Sequence, residues 1–182
     1  MENGYLFESE RLGFRRWKAS DRTPFAALNA NTDVMEFFPK TLSRAESDAL
    51  IDRIEAHFEE MGYGLWAVER KEDGAFIGFI GLLDVNFDIG IEGATEIGWR
   101  LDHKYWKRGY ATEGAKACLV YAFEELRKKE IYSFTSTVNA PSETVMKRIG
   151  MEKVGEFEHP RVPEGSPLRK HVLYKKTQLS SK

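Results

Sequence analysis

The run of elements between Leu65 and Val138 constrains this fold more than any other stretch. Leu65 to Arg70 alternates with a period of two and reads as a strand. Lys71-Glu72-Asp73-Gly74 reads as a hairpin turn, with Asp-Gly supplying positive φ. Ala75 to Val85 is a second strand, apolar enough to be central, and Thr95 to Leu101 follows the loop Asn86 to Gly93 as a third. The period then changes. Ala111, Ala115, Cys118, Leu119, Ala122, Phe123 and Leu126 form one apolar stripe, so Gly109 to Lys128 is expected to be a long helix. Ile131 to Val138 returns to strand. Three strands in a meander followed by strand–helix–strand demand a mixed sheet, antiparallel in the meander and parallel around the helix.

The flanks complete an order of β-α-α-β-β-β-α-β-α-β-β. Leu12, Phe14 and Arg16 alternate in a first strand, and Ser20-Asp21 with Pro24 starts a helix. Ser43 and Glu46 form a capping box for a helix with Leu50, Ile54, Phe58 and Met61 on one face, ended by Gly62 and Gly64. Ser142 to Ile149 is a short helix closed by Gly150. Lys153 to Glu158 and Leu168 to Lys176 are the last strands, and the loop between them, His159 to Pro167, carries three prolines. There are no repeats or linkers. The 182 residues are expected to form one domain, with an ordered core over about 8–176 and a frayed tail at 177–182.

Lys and Arg total 27 against 29 Asp and Glu, a net charge of −2, so nothing in the whole chain draws nucleic acid or an anionic membrane. The short cationic run Arg127, Lys128 and Lys129 does not change that. One cysteine, Cys118, excludes an intrachain disulfide. The first ten residues are acidic and lack an apolar core, and no run approaches the roughly 20 apolar residues of a membrane span. A cytoplasmic protein, monomer or homodimer, is expected. The four histidines, His57, His103, His159 and His171, are scattered and read as surface or loop residues, with no metal site.

The segment YWKRGYATEG, Tyr105 to Gly114, lies between a strand and the start of the longest helix. A helix N-terminus offers unpaired amides and a positive dipole end, Gly109 lets the backbone approach closely, and Lys107 and Arg108 add charge. By itself this is either an anion site or a basic turn. It is neither the nucleotide P-loop nor the dinucleotide fingerprint.

Three spaced motifs, TEIGWRL, YWKRGYATEG and VNAPSETVMKRIGM, together resemble the GNAT superfamily of acetyl-CoA-dependent N-acetyltransferases, in particular the branch containing the ribosomal-protein N-terminal alanine acetyltransferases. In that superfamily's loop pattern, Gln/Arg-x-x-Gly-x-Gly/Ala, Gly109 and Ala111 match and Trp106 departs. Asn139, Ser142 and Gly150 match a second element, with Met151 at a usual phenylalanine. The resemblance runs from about Glu8 to Lys176. It implies an α/β (α+β) fold with a splayed mixed sheet of about six to seven strands and about four helices.

It also implies a chemistry: acetyl transfer from acetyl-CoA to a primary amine, a protein N-terminus or a small molecule, by direct transfer in a ternary complex. On this reading Lys107, Arg108, Gly109, Tyr110, Ala111 and Thr112 hold the pyrophosphate. The pantetheine arm runs along Ile97, Gly98 and Trp99, with a backbone N–H there as oxyanion donor, and Asn139 and Ser142 lie beside it. Asn139 and Ser142 equally suit a turn asparagine and a helix cap.

Glu96 shares a strand face with Gly98 and Arg100 and is the candidate base, acting through a water. The competing readings are a surface pair with Arg100 and a glutamate that orders a nearby loop. Two family features are missing: the strand Ile131–Val138 has no carboxylate, and Met146 stands where a tyrosine acid is usual. Thr112, which matches a serine of the ribosomal-protein branch, and Tyr174 are the remaining acid candidates, with helix-end and core roles as their alternatives. Trp17, Phe37, Phe38 and Trp66 fall in segments that flank the acceptor slot, with core packing favoured for Phe38 and Trp66. Arg161 either reads a carboxylate or is solvated. The competing function is a non-catalytic acyl-CoA-binding module.

Overall fold

The computed structural model describes residues 4–178. Each change of hydrophobic period in the chain marks an element. The eight strands are β1 (Phe7–Glu8), β2 (Leu12–Arg15), β3 (Leu65–Arg70), β4 (Ala75–Asp84), β5 (Thr95–Leu101), β6 (Glu130–Ser136), β7 (Glu152–Glu158) and β8 (Lys170–Thr177). They form one mixed sheet in the order β1-β2-β3-β4-β5-β6-β8-β7. The helices are α1 (Arg22–Ala30), α2 (Arg44–Met61), α3 (Tyr110–Glu124) and α4 (Ala140–Arg148). The extra strand is β1, two residues paired antiparallel with β2. All pairings are antiparallel except β5 with β6, the pair that α3 connects.

α3 stops at Glu124, short of the expected Lys128. Arg127 takes a left-handed φ of 56°, and Lys128 donates to the Tyr63 hydroxyl at 2.8 Å and lies over its ring, so this cationic run is spent on local structure. β6 starts at Glu130, which adds a carboxylate to that strand. It is exposed, bonded to the Tyr132 hydroxyl and Lys175. The C-terminal strand also outlasts the expected frayed tail: Thr177 closes β8 and Gln178 N–H donates to the Lys129 carbonyl at 2.9 Å, while 179–182 lie outside the described residues. α2 begins with the Ser43–Glu46 capping box and ends at Gly62 in the left-handed region.

The sheet separates two sets of side chains. Leu12, Phe14, Ile80 and Ile97 face α3, where Gly114 has no Cβ to collide with Ile80. Phe79 faces the other way, toward α1, with the Phe25 ring 6.0 Å from it. α1 is locked to α2 by fully buried Asn29, which donates to Ser47 Oγ at 2.9 Å. The turn from β2 into α1 is held by Arg15, only 4% exposed. Its guanidinium donates twice to Asp21, at 2.7 and 2.8 Å, and once to Glu69, at 2.6 Å. Trp66 is core, as expected from the sequence.

Candidate active site

The site follows from one interrupted pairing. β5 is paired to β4 along its whole length, from Gly78↔Leu101 to Asp84↔Thr95. On its other side β5 meets β6 only at Glu96↔Tyr132, while the opposite edge of β6 pairs with β8 from Glu130 to Ser136. Past that point the two strands part. Ser133 Oγ donates to the Ile97 carbonyl at 2.9 Å and braces the parting. A Cβ placed on Gly98 would meet no atom within 4 Å, so the sheet face that carries Glu96 and Arg100 is open at that residue.

Backbone direction narrows the list of donors. N–H and C=O groups alternate sides along a strand. The Asp102 N–H goes to Ile77 on β4 and the Ile97 carbonyl to β6, so even-numbered residues here face β4 and odd-numbered ones face the slot. Gly98 therefore contributes space rather than a hydrogen bond. Of the slot-facing carbonyls, Ile97 is taken by Ser133 and Leu101 by the Trp106 indole N–H at 2.9 Å. Trp99 keeps both backbone groups toward the slot. The same Trp106 bond explains a loop residue that departs from the GNAT pattern: it pins the loop back onto β5.

That loop carries two left-handed residues, Lys107 at φ 60° and Gly109 at φ 80°, before α3 begins at Tyr110. Lysine in this region is costly, and such turns point successive amides to one side, a shape that suits an anion. Gly109 is the N-cap and no side chain caps the helix, so the first-turn amides of Tyr110, Ala111 and Thr112 stay available. Lys107 and Arg108 are exposed. Glu113, the acid in this turn, is ion-paired with Arg11 at 2.6 Å and accepts a hydrogen bond from Ser9 Oγ at 2.7 Å. These residues fit a coenzyme with a pyrophosphate and an extended arm.

Glu96 sits where β5 and β6 part, on the face of Gly98 and Arg100. Burial pushes its carboxyl up to about 8, and the Arg161 guanidinium pulls the other way. It does not pair with Arg100. Their Cα atoms stand about 13 Å apart along the strand, and the Arg100 side chain is held elsewhere. Arg100 instead stacks on Phe38 at 4.2 Å and on Phe79 at 5.4 Å. Phe38 is thus a partly exposed cover rather than a core residue, contrary to expectation.

Four side chains from separate segments, Phe87, Phe134, His159 and His171, gather beyond Tyr132, with His159 4.7 Å from Phe87 and 4.8 Å from His171. Both histidines are half-buried rather than surface residues. Burial, then His171 and Arg161, push His159 down to about 4, and burial lowers His171 as well. Arg161 is exposed, as its solvated reading expects, and it also donates to Asn86 Oδ1 at 2.7 Å and covers Phe87, latching the proline-rich loop to the loop after β4.

Several expected site residues are placed elsewhere. Tyr174 pairs with Ser133 across β8, on the face opposite Tyr132 and Glu96. Its buried hydroxyl donates to Glu143 on α4 at 2.6 Å, and burial with Glu143 pushes it up to about 12. Met146 is 1% exposed in the core. Asn139, not Ser142, is the α4 cap, accepting from the Ser142 N–H at 3.2 Å and donating to Thr135 at 2.9 Å. Thr112 lies in the first turn of α3, half-buried. Trp17 gives its indole N–H to the Leu65 carbonyl at 2.7 Å and packs on Phe25, whereas Phe37 is half-buried between α1 and α2.

Comparison with known proteins agrees with this geometry. The acetyltransferase (GNAT) domain family matches residues 11–152. An uncharacterized N-acetyltransferase, YnaD, of Bacillus subtilis is 28% identical over 159 residues, 87% of this chain and 88% of that one. An FsC-acetyl coenzyme A-N(2)-transacetylase of Aspergillus fumigatus is 37% identical over 100 residues, 53% of this chain and 42% of that one. Among solved structures, a GNAT-family acetyltransferase from Bacillus anthracis superimposes with a TM-score of 0.77 at 27% identity, covering 93% of this chain and 96% of that chain.

Proposed function

The chain belongs to the GNAT acetyltransferase family and is an N-acetyltransferase, and on that premise we propose that it moves an acetyl group from acetyl-CoA to a primary amine at the parting of β5 and β6. The observation that carries the proposal is Glu96: a carboxyl with no hydrogen-bond or ion-pair partner among the described residues, at the mouth of a slot with one unpaired strand edge.

When bound, acetyl-CoA supplies an activated acyl group. The amides at the start of α3 with Lys107 and Arg108 hold its phosphates, and the free backbone groups of Trp99 receive its arm as an added strand. The Trp99 N–H is the donor best placed to stabilise charge on the acyl oxygen. Asn139 and Ser142 border the arm from α4.

An ammonium has no lone pair, so the acceptor must lose a proton before it can react. Glu96, held near 8, takes that proton directly or through a water and is matched to the task near neutral pH. Once protonated, the same carboxyl has a proton to return to the departing thiolate. That answers the absence of an acid at Met146 and makes the Tyr174 hydroxyl, bonded to Glu143 on the other face, unnecessary. Thr112 serves the phosphate end. Phe87, Phe134, His159 and His171 wall the acceptor side with neutral aromatic surface, and Trp17 and Phe37 lie at its far border. The test is thiol release from acetyl-CoA across a panel of amines. Amine-dependent release above hydrolysis is expected, and its absence in protein that binds coenzyme A would overturn the proposal.

A further inference from the structure

Arg100 has no counter-ion among the described residues. Among the described residues it makes one hydrogen bond, Nη1 to Asn29 Oδ1 at 2.7 Å, and no ion pair. Its Nε is buried without a partner. Burial pushes the guanidinium down to about 10, so it remains charged at neutral pH. A guanidinium has five N–H donors and hydrogen bonds in a planar fork, and leaving buried donors unmade is costly.

The residue is nonetheless held firmly. Phe38 and Phe79 lie against its plane, and Asn29, itself fully buried and tied to Ser47, fixes one end of the fork. That is an oriented cation with its bonding edge left open. By contrast, the buried Arg15 has two carboxylates within hydrogen-bond distance.

Its position narrows what belongs on that edge. Arg100 shares the face of Glu96 and Gly98, the face toward α1, whereas the phosphate-type loop leads into α3 on the opposite side. Gly98 and Arg100 are two residues apart, about 7 Å along the strand. An amine over Gly98, which Glu96 reaches through a water, and an anion at Arg100 thus fit within one small molecule.

We propose that the acceptor is a primary amine that also carries a carboxylate, an amino acid or short peptide with a free C-terminus, and that Arg100 reads the carboxylate. This rests on the acyl-transfer reading of the same slot. Polyamines are poor acceptors on this account, because they bring positive charge to a cation without a counter-ion.

The experiment uses matched acceptors that differ only in the carboxylate: 4-aminobutanoate with 4-aminobutanamide, and alanyl-leucine with its C-terminal amide, assayed by thiol release from acetyl-CoA. The acids are expected to exceed the amides in kcat/KM by about tenfold to a hundredfold, mostly through KM. Arg100→Gln should bring the ratio toward one, and Arg100→Lys, which keeps charge but loses the fork, should fall between. A wild-type ratio of one or below overturns the inference without any variant, while leaving the transferase reading intact. Failure to acetylate any amine would instead contradict the transferase reading. Calorimetric titration with 4-aminobutanoate then decides the anion site alone: binding lost in Arg100→Gln upholds it, and equal or absent binding overturns it.

Discussion

Two groups of charged residues lie on this sheet, one buried and one half-buried, and they are finished differently. Arg15, Asp21 and Glu69 close on one another: three charge-assisted bonds between 2.6 and 2.8 Å, with Lys18 and Tyr5 adding bonds to Glu69. Glu96 and Arg100 lie on one face of β5 without touching each other, and neither has a contact ion pair among the described residues. A saturated cluster specifies where the chain turns. An unsaturated one stores unmet electrostatic demand that a reactant can meet.

The comparison breaks most visibly at Arg15. Arg15→Met strands two carboxylates in the interior and should cost about 3–5 kcal/mol in denaturant unfolding. A loss below 1 kcal/mol would mean that the closed cluster is as dispensable as a surface pair.

Glu96→Gln should act oppositely on activity and stability. Turnover is expected to fall about a hundredfold or more, while coenzyme binding holds. The folded carboxyl stands near 8 against an ordinary 4.5, so the neutral form favours folding; that contribution is complete below about 4.5 and is lost as pH rises through about 8. The variant's melting temperature should match wild type at pH 4 and exceed it at pH 8. A variant less stable at pH 8 would place Glu96 with the structural cluster.

Gly98→Val sharpens the contrast further. The slot has room for a Cβ, and valine suits a strand, so stability should hold or rise while coenzyme A affinity drops at least about tenfold. Equal affinity by calorimetry would mean that the arm does not pass Gly98. Trp106→Phe, which removes only the bond to the Leu101 carbonyl, should weaken coenzyme binding by a few-fold. An unchanged dissociation constant would assign Trp106 to the surface alone.

Much of this was legible in the chain. The period changes at Leu65 and Gly109 set the element order, and strand alternation put Glu96, Gly98 and Arg100 on one face. What stayed hidden was relational. Arg100 reads as a surface partner for Glu96 because a sequence does not show that a charge lacks a neighbour; the length of a strand repeat argues against the pairing. Phe87, Phe134, His159 and His171 come from separate segments with no shared spacing. Asn139 was legible as a cap, since Pro141 two residues on marks a first helical turn, but the serine competed for the role. For Tyr174 the core alternative holds, and its bond to Glu143 follows from the β6–β8 register, which is not visible in either strand alone.

The central claim, that Glu96 is the open group on which the reaction turns, is tested most directly by the pH dependence of kcat/KM for amine acetylation in wild type and Glu96→Gln side by side. The account predicts a rising limb with an apparent pKa near 8 in wild type, added to the acceptor's own ionisation and missing from the variant. Superimposable profiles of equal height would contradict it and leave Glu96 a buried carboxyl with no part in the transfer.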